Sequence, residues 1–200
     1  MKIGVLASGS GSNLQAIINA IESGKIGDST IAVLICNRKE AYALERAKKH
    51  GIPAVYLNGK EFATREEYDR KVVEILSEHG VELVVLAGYL RWITPYFVES
   101  FKDKILNIHP SLLPSFKGLH GIEQAFEYGV KVTGVTVHFV DETEDGGAVI
   151  IQEAVMIENS DTLETLEEKI HKVEHKLYPY VIEAIRSGRV SKNGRVVKIN

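Results

Sequence analysis

Apolar and polar positions alternate in long blocks through the first half of the chain. Short β-branched runs occupy residues 2–7, 30–36, 53–57 and 83–87. Between them lie longer polar segments with helical spacing at 14–23, 40–50 and 65–79. In the third of these, Tyr68, Val72, Val73, Leu76 and His79 recur three or four residues apart, which makes one apolar helical face. The β-branched runs are apolar throughout rather than at every second position, as strands of a parallel sheet covered on both faces should be. Strand and helix in alternation predict βαβ units and an α/β fold. The expected architecture is Rossmann-like, a mixed, mostly parallel sheet with helices on both faces.

The second half changes character. Residues 104–109 read as one more buried strand. Residues 134–140 alternate, with Val135, Val137 and Phe139 against Thr136 and His138, which predicts a half-exposed strand. A second strand at 148–156 follows the acidic, glycine-rich loop 141–147, so the sheet becomes mixed. Asp161 and Glu164 have the spacing of a capping box. They open a long helix with Leu163, Leu166, Ile170, Val173 and Leu177 on one face. Pro179 is expected to kink or interrupt it, Gly188 to end it, and residues 195–199 to form a short edge strand.

At 200 residues the chain is long enough for one domain without disulfide or metal support. Composition never shifts enough to divide it, so 1–200 reads as a single domain with lobes of about 1–100 and 101–200. Lys and Arg number 24 against 27 Asp and Glu, a net charge of −3, which argues against a nucleic-acid partner. No apolar stretch approaches a membrane span, and the start lacks the charged and apolar regions of a signal peptide. The single cysteine, Cys36, suits a reducing, cytoplasmic setting. A buried strand thiol is its expected role.

Three segments carry chemistry. The first is Ser8-Gly9-Ser10-Gly11-Ser12-Asn13, between the first strand and the first helix. Its glycines let the backbone approach an anion, the helix start offers amide donors, and Ser12 and Asn13 add side-chain donors, a set suited to a phosphate monoester. It departs from the dinucleotide fingerprint because Leu14 stands where the third glycine belongs, and no Gly-Lys-Ser/Thr follows to make a P-loop. The second is Asn107-Ile108-His109-Pro110 at the end of a strand. Asn107 and His109 are two apart, so both project to one side. An amide beside an imidazole can stabilise an oxyanion and pass a proton. The third is Asp141-Glu142-Thr143-Glu144-Asp145-Gly146-Gly147, a tight loop able to aim a carboxylate. It fails as a calcium loop because Thr143 and Gln152 stand where acidic ligands belong. His171-Lys172-Val173-Glu174-His175 matches an inverted zinc-protease pattern, but no distal ligand follows it, so no metal site is expected.

These segments, with Leu86-Ala87-Gly88-Tyr89-Leu90-Arg91 between them, stand in an order that resembles the phosphoribosylglycinamide formyltransferases over essentially the whole chain. The Asn-x-His-Pro and Asp-Gly-Gly elements mark the wider folate-dependent formyltransferase superfamily. The Gly-Ser-Asn loop points to this member. The resemblance implies transfer of the formyl group of 10-formyltetrahydrofolate, as co-substrate, to the amine of glycinamide ribonucleotide in purine synthesis. It implies Asn107, His109 and Asp145 as the catalytic residues. Gly11, Ser12 and Asn13 would hold the ribonucleotide phosphate, and Glu174 the ribose or glycinamide end. Arg65, Leu90, Arg91, Trp92, Ile93 and Asn107 would line the folate site, with the pterin held largely by backbone groups. The N-terminal lobe would then be the phosphate-binding one, and the C-terminal lobe the catalytic and folate side. His120 matches a position near the catalytic carboxylate. Partners are expected to be these two small molecules, with no nucleic acid, no membrane and a monomer or homodimer. A formyltetrahydrofolate hydrolase shares the catalytic residues but usually carries an additional N-terminal regulatory domain, whereas here the first strand begins at residue 2. A methionyl-tRNA formyltransferase usually adds a C-terminal RNA-binding domain and lacks the Gly-Ser-Asn loop. A non-catalytic nucleotide sensor could use the same phosphate loop, but would not need Asn107, His109 and Asp145 together.

Overall fold

The computed structural model describes residues 1–200 and divides into two compact units, Met1–Leu106 and Asn107–Asn200. The first unit runs β1 (Lys2–Ala7), α1 (Ser12–Glu22), β2 (Thr30–Cys36), α2 (Tyr42–Lys49), β3 (Ala54–Tyr56), α3 (Arg65–Glu78), β4 (Leu83–Leu86) and α4 (Pro95–Ser100). β5 (Ile105–His109) ends in the second unit, which continues with α5 (Gly121–Tyr128), β6 (Val132–Phe139), β7 (Val149–Met156), α6 (Leu163–Arg186), β8 (Val190–Asn193) and β9 (Val196–Ile199). Seven strands form one sheet in the order β3-β2-β1-β4-β5-β6-β7. β1 pairs in parallel with β2 and β4, and β2 with β3, whereas β6 and β7 pair antiparallel. The mixed, mostly parallel α/β sheet is therefore as the hydrophobic pattern predicts.

In the first unit the continuous apolar runs do what continuous runs must. Ile3, Val5, Leu6 and Ala7 of β1, Val33, Leu34, Ile35 and Cys36 of β2 and Val84 and Val85 of β4 are wholly buried. Burial pushes the Cys36 thiol up to about 12, so it stays a neutral thiol packed as a small apolar group. Helix α3 buries Tyr68, Val72, Ile75 and Leu76. Val73 and His79 lie at the margin of that face rather than on it. Asp69 is buried as well, because its carboxylate accepts the Thr94 amide at 2.7 Å.

The second unit corrects four expectations. β6 is not half-exposed: after Val132 every residue is buried on both faces. Two of its polar positions are held by hydrogen bonds: Thr136 Oγ1 donates to the Ser111 carbonyl and accepts from the Leu113 amide and Gln152, and His138 donates to the Phe139 carbonyl, whereas the buried Thr133 hydroxyl has no partner. Helix α6 is not capped by Asp161 and Glu164. Thr162 is the N-cap and exchanges hydrogen bonds with Thr165. Asp161 instead accepts from the Glu158 amide, Thr165 and Lys169. Pro179 does not interrupt α6, which runs from Leu163 through to Arg186. Its neighbours Leu177, Tyr178, Val181 and Ile182 are all buried, and that packing offsets one missing ladder bond. The C-terminal strand is not an edge of the main sheet. β9 pairs with β8 in a separate antiparallel ribbon.

The cap assignment is directly testable. Thr162→Ala removes the oxygen that accepts the Thr165 amide and should cost about 1 kcal/mol in urea unfolding. Glu164→Ala should change stability by less than about 0.5 kcal/mol. The reverse ranking would return the cap to Asp161 and Glu164.

Candidate active site

In the second unit, Asn107 and His109 stand at the end of β5, and the loop between β6 and β7 carries Asp145 to them. Asp145 Oδ2 accepts the Gly118 amide at 2.8 Å and faces His109 Nδ1 at 3.4 Å. Its Oδ1 faces Asn107 Nδ2 at 3.4 Å. His109 Nε2 donates to the Phe116 carbonyl at 2.7 Å. Both ring nitrogens of His109 therefore face oxygen acceptors, the Phe116 carbonyl and the Asp145 carboxylate. Of the acidic residues in the loop, Asp141 is spent on the loop itself, bonding the Thr143 amide and hydroxyl, so Asp145 alone is aimed at the imidazole. Gly147 is required for the turn, since a Cβ there would run into the Phe139 carbonyl.

His138 joins this group unannounced by the sequence, because its alternation with Val137 and Phe139 reads as solvent exposure. It is buried, Nδ1 donates to the Phe139 carbonyl at 2.8 Å, and Nε2 accepts from Asn107 Nδ2 at 3.3 Å. Burial lowers its pKa and outweighs the nearby Asp145 carboxylate. The Asn107 amide thus bridges a neutral imidazole and a carboxylate. Both contacts are long, so one N–H can turn to a developing oxyanion at small cost.

The phosphate-loop candidates lie in the first unit. Gly11 is the N-cap of α1 with φ +71°, and a Cβ there would stand 2.8 Å from Ala43 Cβ and 2.9 Å from its Cα. Only glycine lets the loop lie against α2 in this way. The loop is held from outside, by the Ala43 amide on the Gly9 carbonyl and by Arg46 Nε on the Ser10 carbonyl at 2.9 Å. Ser12 opens the helix and Asn13 is nearly buried. No side chain caps α1 and its first turn holds no acid, which leaves the positive end of the helix open to an anion.

The folate candidates in this unit follow β4. Leu90 and Trp92 are 51% and 50% exposed. Arg91 lies over the Tyr68 ring at 3.9 Å, a cation–π contact, and Tyr68 and Tyr89 share a hydroxyl hydrogen bond of 3.2 Å. The Thr94 amide bonded to Asp69 fixes the far end of the segment, just beyond Ile93. Arg65, exposed, precedes Tyr68 by one helical turn on the same side of α3.

Glu174 is 5% exposed on α6, with His171 Nδ1 at 2.9 Å from its Oε2. That carboxylate raises the His171 pKa above its ordinary value. His171 and His175 stack with ring centroids 6.1 Å apart, and no group of three or more His, Cys, Asp and Glu residues has the placement to hold a metal ion. His120 pairs with Glu123 at 3.0 Å, and the Asp145 carboxylate accepts the backbone amide of Gly118.

The His138 assignment has a pH signature. The unfolded chain protonates this side chain below about 6.5, whereas the folded site resists the proton. The unfolded state therefore binds more protons in that window, and stability falls as pH drops through it. Urea unfolding from about pH 7 to about pH 5 should show a shallower loss for His138→Gln than for the natural chain. Parallel curves would assign the loss to other groups.

The formyl transferase family pattern matches residues 1–182. The phosphoribosylglycinamide formyltransferase of Bacillus subtilis is 44% identical over 184 residues, covering 92% of this chain and 94% of that protein. The trifunctional purine biosynthetic protein adenosine-3 of Chironomus tentans is 46% identical over 195 residues, but this chain spans only 14% of its length. The crystal structure of glycinamide ribonucleotide transformylase 1 from Symbiobacterium toebii superposes with a TM-score of 0.96 at 45% identity, covering 100% of this chain and 93% of that one. No helix here is long and apolar enough to cross a membrane. From the match along nearly its whole length, and from relatives of its own size at this identity, the chain belongs to the formyl transferase family.

Proposed function

We propose that this chain is a phosphoribosylglycinamide formyltransferase of purine synthesis. It moves the formyl group of 10-formyltetrahydrofolate to the glycinamide amine of 5-phosphoribosylglycinamide, giving formylglycinamide ribonucleotide and tetrahydrofolate. The observation that carries the reading is the approach of Asp145 to both Asn107 and His109. That cluster occurs in a chain 44% identical to an enzyme of this name along almost its full length.

The chemistry follows from those groups. The neutral amine attacks the formyl carbon and a carbon–nitrogen bond forms. The carbonyl oxygen becomes an oxyanion, which protonated His109 and the Asn107 amide stabilise. The amine then loses its proton as the bond to the folate nitrogen breaks, and that nitrogen gains one. Asp145, held by the Gly118 amide, assists the transfer by keeping a charged acceptor beside His109. Direct transfer requires neither a covalent enzyme intermediate nor a metal ion. In this reading residues 1–200 work as one formyltransferase domain. Gly11, Ser12 and Asn13 take the phosphate, Glu174 takes the ribose or glycinamide end, and Arg65, Asn107 and residues 90–93 take the folate.

Purified protein should form tetrahydrofolate from 10-formyltetrahydrofolate only when the ribonucleotide is supplied. Release of formate at the same rate without it would make the chain a hydrolase. Binding of the ribonucleotide with no turnover would make it a sensor.

Asp145→Asn changes charge at nearly constant shape, and asparagine tolerates the backbone φ of +44° found there. A kcat loss of about 10²–10⁴-fold is expected, the range of positioned acid–base groups. Substrate KM values should move far less, because the interaction matters chiefly in the transition state. Near-normal kcat in this variant would remove Asp145 from the mechanism.

A further inference from the structure

Ser8 is the first residue of the phosphate-loop segment and is only 1% exposed, yet its side chain is polar. Its hydroxyl donates to Asn37 Oδ1 at 2.6 Å and accepts the Leu90 amide at 2.8 Å. Its own amide donates to the Gly88 carbonyl at 3.0 Å. The three strands concerned are neighbours, β2, β1 and β4 in that order, and all run parallel. Ser8 follows β1, Asn37 follows β2, and Gly88 and Leu90 follow β4. One hydroxyl therefore ties together the segments that leave three adjacent strands at the same end. One of those segments is the phosphate loop, and another opens at Leu90 with the folate residues.

The geometry points to Ser8 as a positioning residue that fixes the first amide of the folate segment to the root of the phosphate loop, so that the two substrate segments hold one another in register. This deepens the formyltransferase reading and rests on it. The direction of the bonds matters. By donating to Asn37, the hydroxyl turns its lone pair to Leu90 and becomes a better acceptor, since chained hydrogen bonds polarise one another. An alanine at this position would leave the Leu90 amide and the Asn37 carbonyl without that partner, whereas Asn37→Ala keeps the Leu90 acceptor and loses only its orientation. The far end of the folate segment has its own anchor in the bond from the Thr94 amide to Asp69. Loss of Ser8 should thus loosen the Leu90 end selectively.

The test compares the natural chain with Ser8→Ala and Asn37→Ala. Amide hydrogen exchange is read on the protein alone, and steady-state kinetics are read with 10-formyltetrahydrofolate and the ribonucleotide. For Ser8→Ala, exchange at Leu90 should quicken while that at Thr94 stays put. The folate KM should rise roughly 5- to 20-fold and the ribonucleotide KM should rise with it. The kcat at saturation should hold within about 3-fold, because no reacting group is touched. Asn37→Ala should show the same pattern at smaller size, and it decides the question if Ser8→Ala does not fold. Unchanged Leu90 exchange, or a fall in kcat with both KM values intact, overturns the assignment. Should the natural chain transfer no formyl group, the formyltransferase reading fails, while the exchange data still judge the Ser8 bridge separately.

Discussion

The parallel pairing of β1 with β2 and β4 constrains everything else in the first unit. Strands buried on both faces leave no solvated side for polar chemistry, so hydrogen-bonding side chains collect where the strands end. Because the three strands run the same way, their ends share one edge. Ser8, Asn37 and the backbone at Gly88 meet there because their strands are neighbours in the sheet. The loop glycine follows from the same crowding: Gly11 is needed because α2 comes too close for a side chain.

The second unit solves a different problem. Here the strand that supports the site carries polar residues into the interior, and Thr136 and His138 each find a partner. Thr136 does so with the turn that follows His109, through the Ser111 carbonyl and the Leu113 amide. His138 does so with Asn107 and the Phe139 carbonyl. The turn after β5 returns the carbonyl of Phe116 to His109 and the amide of Gly118 to Asp145. Backbone groups thus orient both the imidazole and the carboxylate, and the side chains of that turn are freer to vary than its path.

The readability of the sequence divides along the same line. Strand order of appearance, helix faces and the Asn-x-His and Asp-Gly-Gly segments were legible because period and turn chemistry are local properties. Residues such as Asp69, Ser8, Thr136 and His138 were not, because a polar residue in a strand or on a helix reads as exposed until its partner is known, and the partners of Ser8 lie 29 and 82 residues away. Thr162 and Asp161 show the limit within a single turn, since both are good caps and the chain path chooses between them. Pro179 shows it for helices: a rule about backbone hydrogen bonds is overridden by the packing of Tyr178, Val181 and Ile182.

Cys36 has a practical consequence. The chain holds one thiol, and it is walled inside β2 and protonated at any ordinary pH. To a maleimide or a spin label the folded protein is therefore a cysteine-free background without any engineering. A cysteine introduced at exposed Trp92 would be the single reactive handle on the molecule. A fluorophore placed there would report on the movements of the segment beside β4 with no contribution from elsewhere in the chain.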